Sequence, residues 1–214
     1  MTKLIIVRHG ESLYNLTRQY TGQTDVALTD KGIAQAEITA EYILKNYKID
    51  AVYSSDLSRA IDTAKPIAAP LGLTIKTDAR LREINAGIWQ GMYFSDVREK
   101  YKEEYATYQS DRTTQRTPGG EGLFDVQKRA LEALNDIAIA NDGKTVMIAT
   151  HNGPLMALYA AFSGISLNDV TSLSNNSITE IDCENGKYDI VKLGYDAHLG
   201  NLTTSFDKKD KTVN

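Results

Sequence analysis

Two of the three histidines in the chain occupy equivalent places. His9 follows the apolar run Leu4-Ile5-Ile6-Val7 and Arg8; His151 follows a second apolar run that ends in Thr150. Each precedes a small-residue turn into a longer amphipathic stretch. One histidine so placed would read as a satisfied core residue, but the repeated placement points to ligand contact at the ends of two strands. Arg8 and Gly10 flank His9 in Arg8-His9-Gly10-Glu11-Ser12. A permanent cation beside an imidazole suits a phosphoryl group. The guanidinium binds two phosphate oxygens at once, while the neutral ring nitrogen faces phosphorus in line with the leaving oxygen. The other reading, a salt-bridged surface pair, would not need to end a buried strand.

Two further residues extend this chemistry. Arg59, in Ser54-Ser55-Asp56-Leu57-Ser58-Arg59-Ala60, falls in the first turn of an expected helix. A cation there opposes the helix dipole, and a bound anion would account for it. Glu83 lies in Leu81-Arg82-Glu83-Ile84-Asn85-Ala86-Gly87, just before the single tryptophan, Trp89. Cleaving a phosphoester at a histidine requires a proton donor for the departing alkoxide, and Glu83 is the best-placed carboxyl. Either residue alone would read as a solvated surface charge.

The elements that must position these groups alternate between short apolar runs and amphipathic stretches, which predicts an α/β fold with a mostly parallel sheet. Strands are expected over 4–7, 51–53, 73–75 and 145–149, the first and last of these ending at the two histidines. Ligands in open α/β sheets bind at such carboxyl ends. Helices are expected after Leu28 with Thr29 as N-cap, over 57–69 with an interruption or kink at Pro66, over 123–140, and over 154–162. A hairpin is expected from 178–183 and 188–193, turning at Glu184-Asn185-Gly186. Between these, residues 93–122 carry Tyr93, Tyr101, Tyr105 and Tyr108, then a polar run and Pro118-Gly119-Gly120. The pattern fits a helical substrate lid, and equally a surface helix packing its tyrosines inward. The chain is expected to form one catalytic domain over 1–202 with a lid-like insertion at about 92–122, and a flexible tail over 203–214.

Composition narrows the classes. The 214 residues are 42% hydrophobic and 24% charged, with a net charge of −4, which is ordinary for a globular domain and unsuited to a nucleic-acid coat. No run approaches the roughly 20 apolar residues of a membrane span, and no signal-peptide pattern opens the chain. Cys183, the single cysteine, has no internal partner, which suits a reducing compartment. A cytoplasmic location without nucleic-acid or membrane partners is expected, and the sequence sets no oligomeric state. Competing phosphate and acyl chemistries fail on spacing. Gly143-Lys144-Thr145 lacks the earlier glycine of a P-loop, since Ala138 stands there; Asp189 stands where a cysteine phosphatase loop would place arginine after Cys183. Gly10-Glu11-Ser12-Leu13-Tyr14 lacks the second glycine of a serine-hydrolase elbow. No acidic cluster or histidine pair suggests a metal site.

Arg8-His9-Gly10-Glu11-Ser12, Ser54-Ser55 with Arg59-Ala60 and Thr63-Ala64, Leu81-Arg82-Glu83, Gly119-Gly120-Glu121 and Thr150-His151 occur in the order and approximate spacing of one family. On these motifs the chain resembles the phosphoglycerate mutase-like branch of the histidine phosphatase superfamily, over residues 4 to about 198. The resemblance implies a three-layer α/β/α sandwich. It implies that His9 becomes phosphohistidine, that Arg8, Arg59 and a protonated His151 form the phosphate pocket, and that Glu83 is the general acid and then the general base. Asn15 matches a phosphate-contacting position. Ser12, Gly22, Gln23, Glu121 and His198 are the further expected substrate- or phosphate-binding positions. No metal or other cofactor is implied. Ile84 and Ala86 stand where the mutases carry arginine and tyrosine, and the surrounding motif is more similar to broad-specificity and α-ribazole phosphatases. The expectation is therefore a phosphatase for a small phosphorylated metabolite. The alternatives are a mutase dependent on 2,3-bisphosphoglycerate, kept open by Arg112 and Arg116, and an inactive relative that binds phosphorylated ligands.

Overall fold

A computed structural model describes residues 1–204 of the chain; the expected tail beyond Thr204 lies outside the described residues. The chain runs β1 (Thr2–Arg8), a one-turn helix α1 (Leu13–Leu16), α2 (Asp30–Asn46), β2 (Ala51–Ser54), α3 (Ser58–Ala68), β3 (Ile75–Thr77), α4 (Phe94–Lys100), α5 (Lys102–Ser110), α6 (Leu123–Ala140), β4 (Thr145–Thr150), α7 (Asn152–Ser163), β5 (Ile178–Glu184) and β6 (Lys187–Tyr195). The six strands form one sheet in the order β3-β2-β4-β1-β5-β6. The first four are parallel, and β5 and β6 add an antiparallel edge.

Strands β1 and β4 are continuously apolar over residues 4–7 and 146–149 because both sheet faces are covered there, the usual condition of central parallel strands. Leu4 and Ile6 face α6 and α7, packing with Val146, Ile148, Leu134, Ile137, Leu155 and Leu158. Ile5 and Val7 face α2 and α3, packing with Met147, Ala149, Ala40, Ile43, Ala64 and Ile67. Each such fully buried aliphatic side chain contributes about 1.5–3 kcal/mol. The helix that follows β1 covers one face and the helix that follows β4 covers the other. The two connections therefore diverge from the carboxyl ends of adjacent strands, the place where open α/β sheets bind ligands.

Helix α2 begins where Thr29 accepts the Gly32 N–H at 3.0 Å, and its packing draws it against the loop after β1. A Cβ on Gly32 would lie 2.1 Å from the Glu11 carbonyl, and one on Gly10 would lie 2.5 Å from the Gly32 carbonyl. The two glycines thus permit backbone-to-backbone contact. The close neighbour of Gly10 is α2.

Three expected boundaries move. Helix α3 passes Pro66 without a break and continues into a 3-10 turn at Ala69–Leu71, because proline so near the end removes only one backbone donor. Strand β3 pairs over Ile75–Thr77, two residues later than expected. The N–H groups of Gly72 and Leu73 are spent capping the preceding helical turn, at 3.1 Å to the Ala69 and Ala68 carbonyls. Helix α7 starts at Asn152, before Pro154, with His151 as its N-cap residue. The hairpin turns where expected, with Asn185 and Gly186 both in the left-handed region, as a tight two-residue turn requires.

Residues 93–122 form α4, α5 and a return loop. Val97, Tyr108 and Trp89 are buried together with Ala86, and Tyr20, Tyr101 and Tyr105 pack around them. The Trp89 ring lies 5.7 Å from Tyr108, edge-on, and 6.2 Å from Tyr105. This aromatic cluster is separate from both layers on the sheet. Tyr93 stands outside it and is half exposed. Among the described residues no helix is long and apolar enough to cross a membrane.

Candidate active site

The parallel register places Arg8 opposite Thr150, so the next residues, His9 and His151, leave adjacent strands side by side. The His9 N–H donates to the Thr150 carbonyl at 2.9 Å, and the two imidazole centroids are 4.9 Å apart at an interplanar angle of 60°. His9 Nδ1 lies 2.7 Å from its neighbour's carbonyl, Gly10 O. A carbonyl only accepts, so Nδ1 carries the hydrogen and Nε2 keeps its lone pair. Burial, then the charges of Arg59 and Arg8, push the His9 proton affinity well below the ordinary imidazole range, so the ring is neutral.

Both guanidiniums are buried. Arg59 is 0% exposed; its Nη1 and Nη2 donate to the Thr24 and Gly22 carbonyls at 2.8 Å each, and its Nε is buried without a protein partner. The carbonyls of residues 22 and 24 thus offset the unfavourable helix dipole in part. Arg8 donates to the Leu173 carbonyl. Burial lowers both arginines to about 10, opposed in each case by the nearby Glu83 charge, and both remain cationic at neutral pH. His151 is 0% exposed, and neither ring nitrogen has a protein partner. Burial and Arg59 push its protonation well below the ordinary range. Without an anion, therefore, the pocket holds two fixed cations and a neutral His151.

Glu83 lies beside the same two guanidiniums. Its Oε1 accepts two backbone N–H groups, from Ile84 at 2.9 Å and from Gly153 in the first turn of α7 at 2.8 Å. Among the described residues no donor reaches its Oε2. Gly153 must be glycine for this arrangement, since a Cβ there would lie 2.3 Å from Glu83 Oε1.

The remaining expected positions divide. Asn15 Oδ1 accepts from the Ser12 N–H and hydroxyl and from Asn175, while Asn15 Nδ2 has no protein acceptor. Ser12 is fully buried as the N-cap of α1, where its bonds to Asn15 form a capping box. Gly22 supplies a carbonyl to Arg59, and Gln23 Nε2 donates to the Glu83 carbonyl at 3.1 Å. Glu121 faces Arg129 and the Asn85 N–H. His198 lies against α2, bonded to Thr39 at 2.9 Å and packed on Tyr42 and Tyr195, with no contact to the other members. Arg116 pairs with Asp125 on the surface, whereas Arg112 sits beside the Tyr108 hydroxyl with its Nε buried and unpartnered. Among the described residues no group of three or more histidine, cysteine or acidic side chains could hold a metal.

Sequence reasoning missed three supports. Asn175 Nδ2 donates to the His9 and Gly10 carbonyls at 2.9 and 3.2 Å, and its Oδ1 is buried without a partner. Asn176, with φ of 55°, donates its N–H to the Arg8 carbonyl at 2.9 Å. Arg129 holds the carbonyls that surround Glu83. The polar run Asn175-Asn176-Ser177 directly before β5 was the available signal for the first two.

A family model described as histidine phosphatase superfamily (branch 1) matches residues 4–196. The chain is 34% identical over 204 residues to phosphoserine phosphatase 1 of Hydrogenobacter thermophilus, covering 94% of this chain and 96% of that one. It is 36% identical over 200 residues to phosphoglycerate mutase-like protein 4 of Arabidopsis thaliana, covering 92% and 86%. A solved structure of a phosphoserine phosphatase variant from Entamoeba histolytica, in complex with phosphoserine, is similar with a TM-score of 0.81 and 28% identity, over 93% of this chain and 100% of that one.

Proposed function

The chain belongs to the histidine phosphatase superfamily, and from that premise we propose that it is a phosphatase hydrolysing small phosphomonoesters through phosphohistidine at His9. The supporting observation is the neutral His9 ring, with Nδ1 turned to the Gly10 carbonyl, beside His151 and between two buried guanidiniums. Nε2 attacks phosphorus; the N–P bond forms as the bond to the leaving oxygen breaks, and Glu83 Oε2 gives that oxygen its proton. A water then attacks phosphorus and gives its proton to the Glu83 carboxylate, the N–P bond breaks, and phosphate leaves. Arg8 and Arg59 offset the charge on the equatorial oxygens, and His151 and Asn15 Nδ2 donate further hydrogen bonds to them. Fixed side-chain cations supply the charge stabilisation, so the reading includes no metal and no other cofactor.

In this reading residues 92–122 are the lid over the single catalytic domain, and the aromatic cluster around Trp89 sets its resting position. Arg112, a half-buried cation on this segment beside the Tyr108 hydroxyl, favours a substrate with an anionic tail. O-Phosphoserine is the first substrate to test, in view of what the relatives' names say they act on. A phosphoglycerate carries the same tail, which keeps a mutase as the second reading. Dependence of turnover on 2,3-bisphosphoglycerate separates the two.

The deciding experiment is a rapid quench with labelled substrate. Protein-bound phosphate that is labile in acid, stable in base and absent from His9→Ala is the expected result. Full turnover by His9→Ala overturns the proposal.

A further inference from the structure

Arg129 projects from α6 with its side chain 16% exposed, and all five of its guanidinium hydrogens are used. Nε and Nη2 donate side-on to the two Glu121 carboxylate oxygens, both at 2.9 Å. Nη1 donates to the Arg80 and Arg82 carbonyls at 2.7 and 2.5 Å, and Nη2 also donates to the Glu83 carbonyl at 2.9 Å. Three carbonyls within four residues thus converge on one planar cation, at the end of the 3-10 turn Ala79–Leu81. No lysine could reproduce this, since an ammonium has three donors and no fixed fork.

Glu121 completes the bracket. Its Oε2 accepts the Asn85 N–H at 2.8 Å, and its own N–H donates to the Asn85 carbonyl at 2.8 Å. It lies where the 111–122 segment returns to the body of the protein, and the Thr117 hydroxyl donates to the same Asn85 carbonyl at 3.0 Å. The peptide groups before and after Glu83 are therefore held from both sides by one ion pair, while the Glu83 carboxyl is turned to the Ile84 and Gly153 N–H groups.

We infer that the Arg129–Glu121 pair is a positioning unit for Glu83: it fixes the backbone of residues 80–85, so that Glu83 Oε2 meets the leaving oxygen, and it ties that alignment to the end of the proposed lid. Neither residue touches substrate. The inference rests on Glu83 being the proton donor, and it predicts a defect in proton transfer with phosphate binding intact. A misplacement of the donor by a fraction of an ångström is enough, because catalytic geometry tolerates little error.

The test compares kcat/KM for phenyl phosphate and p-nitrophenyl phosphate, which have similar shapes but need a proton donor to very different extents. Wild type, Glu83→Gln, Arg129→Lys and the double variant are measured, with melting curves and inhibition by inorganic phosphate as controls for fold and pocket. In Arg129→Lys the loss on phenyl phosphate is expected to exceed the loss on p-nitrophenyl phosphate by about tenfold. In the Glu83→Gln background the same substitution should add no further selectivity. Equal losses on both substrates, or an added selective loss in the double variant, overturn the positioning role. If Glu83→Gln is itself unselective, the proton-donor assignment fails instead. Should Arg129→Lys not fold, Glu121→Ala, which removes both the side-on partner of the guanidinium and the acceptor of the Asn85 N–H, gives the same readout.

Discussion

His9 and His151, the residues that follow the paired Arg8 and Thr150 of two adjacent parallel strands, hold their imidazoles 4.9 Å apart. That distance is close to the spacing of neighbouring strands, about 4.7–4.9 Å. The sheet itself therefore sets the separation of the two rings. The chain then leaves these strands toward opposite faces of the sheet.

Glu83→Gln removes the exchangeable proton while keeping a hydrogen-bonding oxygen for the Ile84 and Gly153 N–H groups. Phosphoryl transfer from an alkyl phosphate should fall by about 10²–10⁴-fold, with a much smaller loss on p-nitrophenyl phosphate. Steady-state kcat/KM on the two substrate types checks this, and equal losses count against the assignment.

Gly153→Ala inserts a Cβ 2.3 Å from Glu83 Oε1 and must displace the carboxyl. Helix α7 itself gains propensity from the change. We expect a loss of about 10²-fold in kcat/KM on alkyl phosphates without a lowered melting temperature, measured by kinetics and thermal unfolding together.

The pH dependence of stability follows from His9 and His151. Both are held below their unfolded proton affinity, so the unfolded chain takes up more protons below about pH 6.5. Their contribution is complete above that pH and is lost as pH falls toward the folded-state values, at about 1.4 kcal/mol per pH unit for each ring. Unfolding free energies between pH 7 and pH 5 should therefore show a shallower slope in His151→Gln than in wild type. The same depression keeps the His9 nucleophile neutral below pH 6.5, so kcat/KM should not show an acid limb at the ordinary imidazole position.

Phosphate, vanadate and sulfate should inhibit competitively, since each presents tetrahedral or trigonal-bipyramidal oxygens to Arg8, Arg59 and His151. EDTA should leave turnover unchanged. Inhibition by EDTA that added divalent metal reverses would refute the side-chain mechanism.

Trp89→Ala empties the centre of the aromatic cluster, where the ring is 0% exposed. The local cost is about 3–5 kcal/mol, which should fall on residues 94–110 and leave the sheet intact. Hydrogen exchange should accelerate in α4 and α5 alone, and KM should rise more than kcat falls.

The parts of this protein that could be read from sequence are those specified by neighbours in the chain. Leu4 to His9 announces a buried strand with a polar end, and Thr145 to His151 repeats the pattern, so the sheet centre and both rings follow from local alternation. Arg59 was legible through its conflict with a helix N-terminus. The supports were not, because they act across long separations. Asn175 reaches the His9 carbonyl from 166 residues away, and nothing about an asparagine in a polar run before a strand says which carbonyl it will hold. Arg129 sits on a helix whose apolar stripe is fully explained by packing, so its five bonds leave no trace in the periodicity. Ser12 illustrates the reverse. Its place in a motif with His9 suggested ligand contact, whereas its hydroxyl is engaged in capping α1.

The tyrosines and tryptophan beneath α4 and α5 share no member with the two apolar layers on the sheet. Sequence drift in that patch can therefore proceed at its own pace. A lineage could trade one metabolite for another by remodelling roughly twenty residues there, while the strands that carry the reactive groups stay as they are.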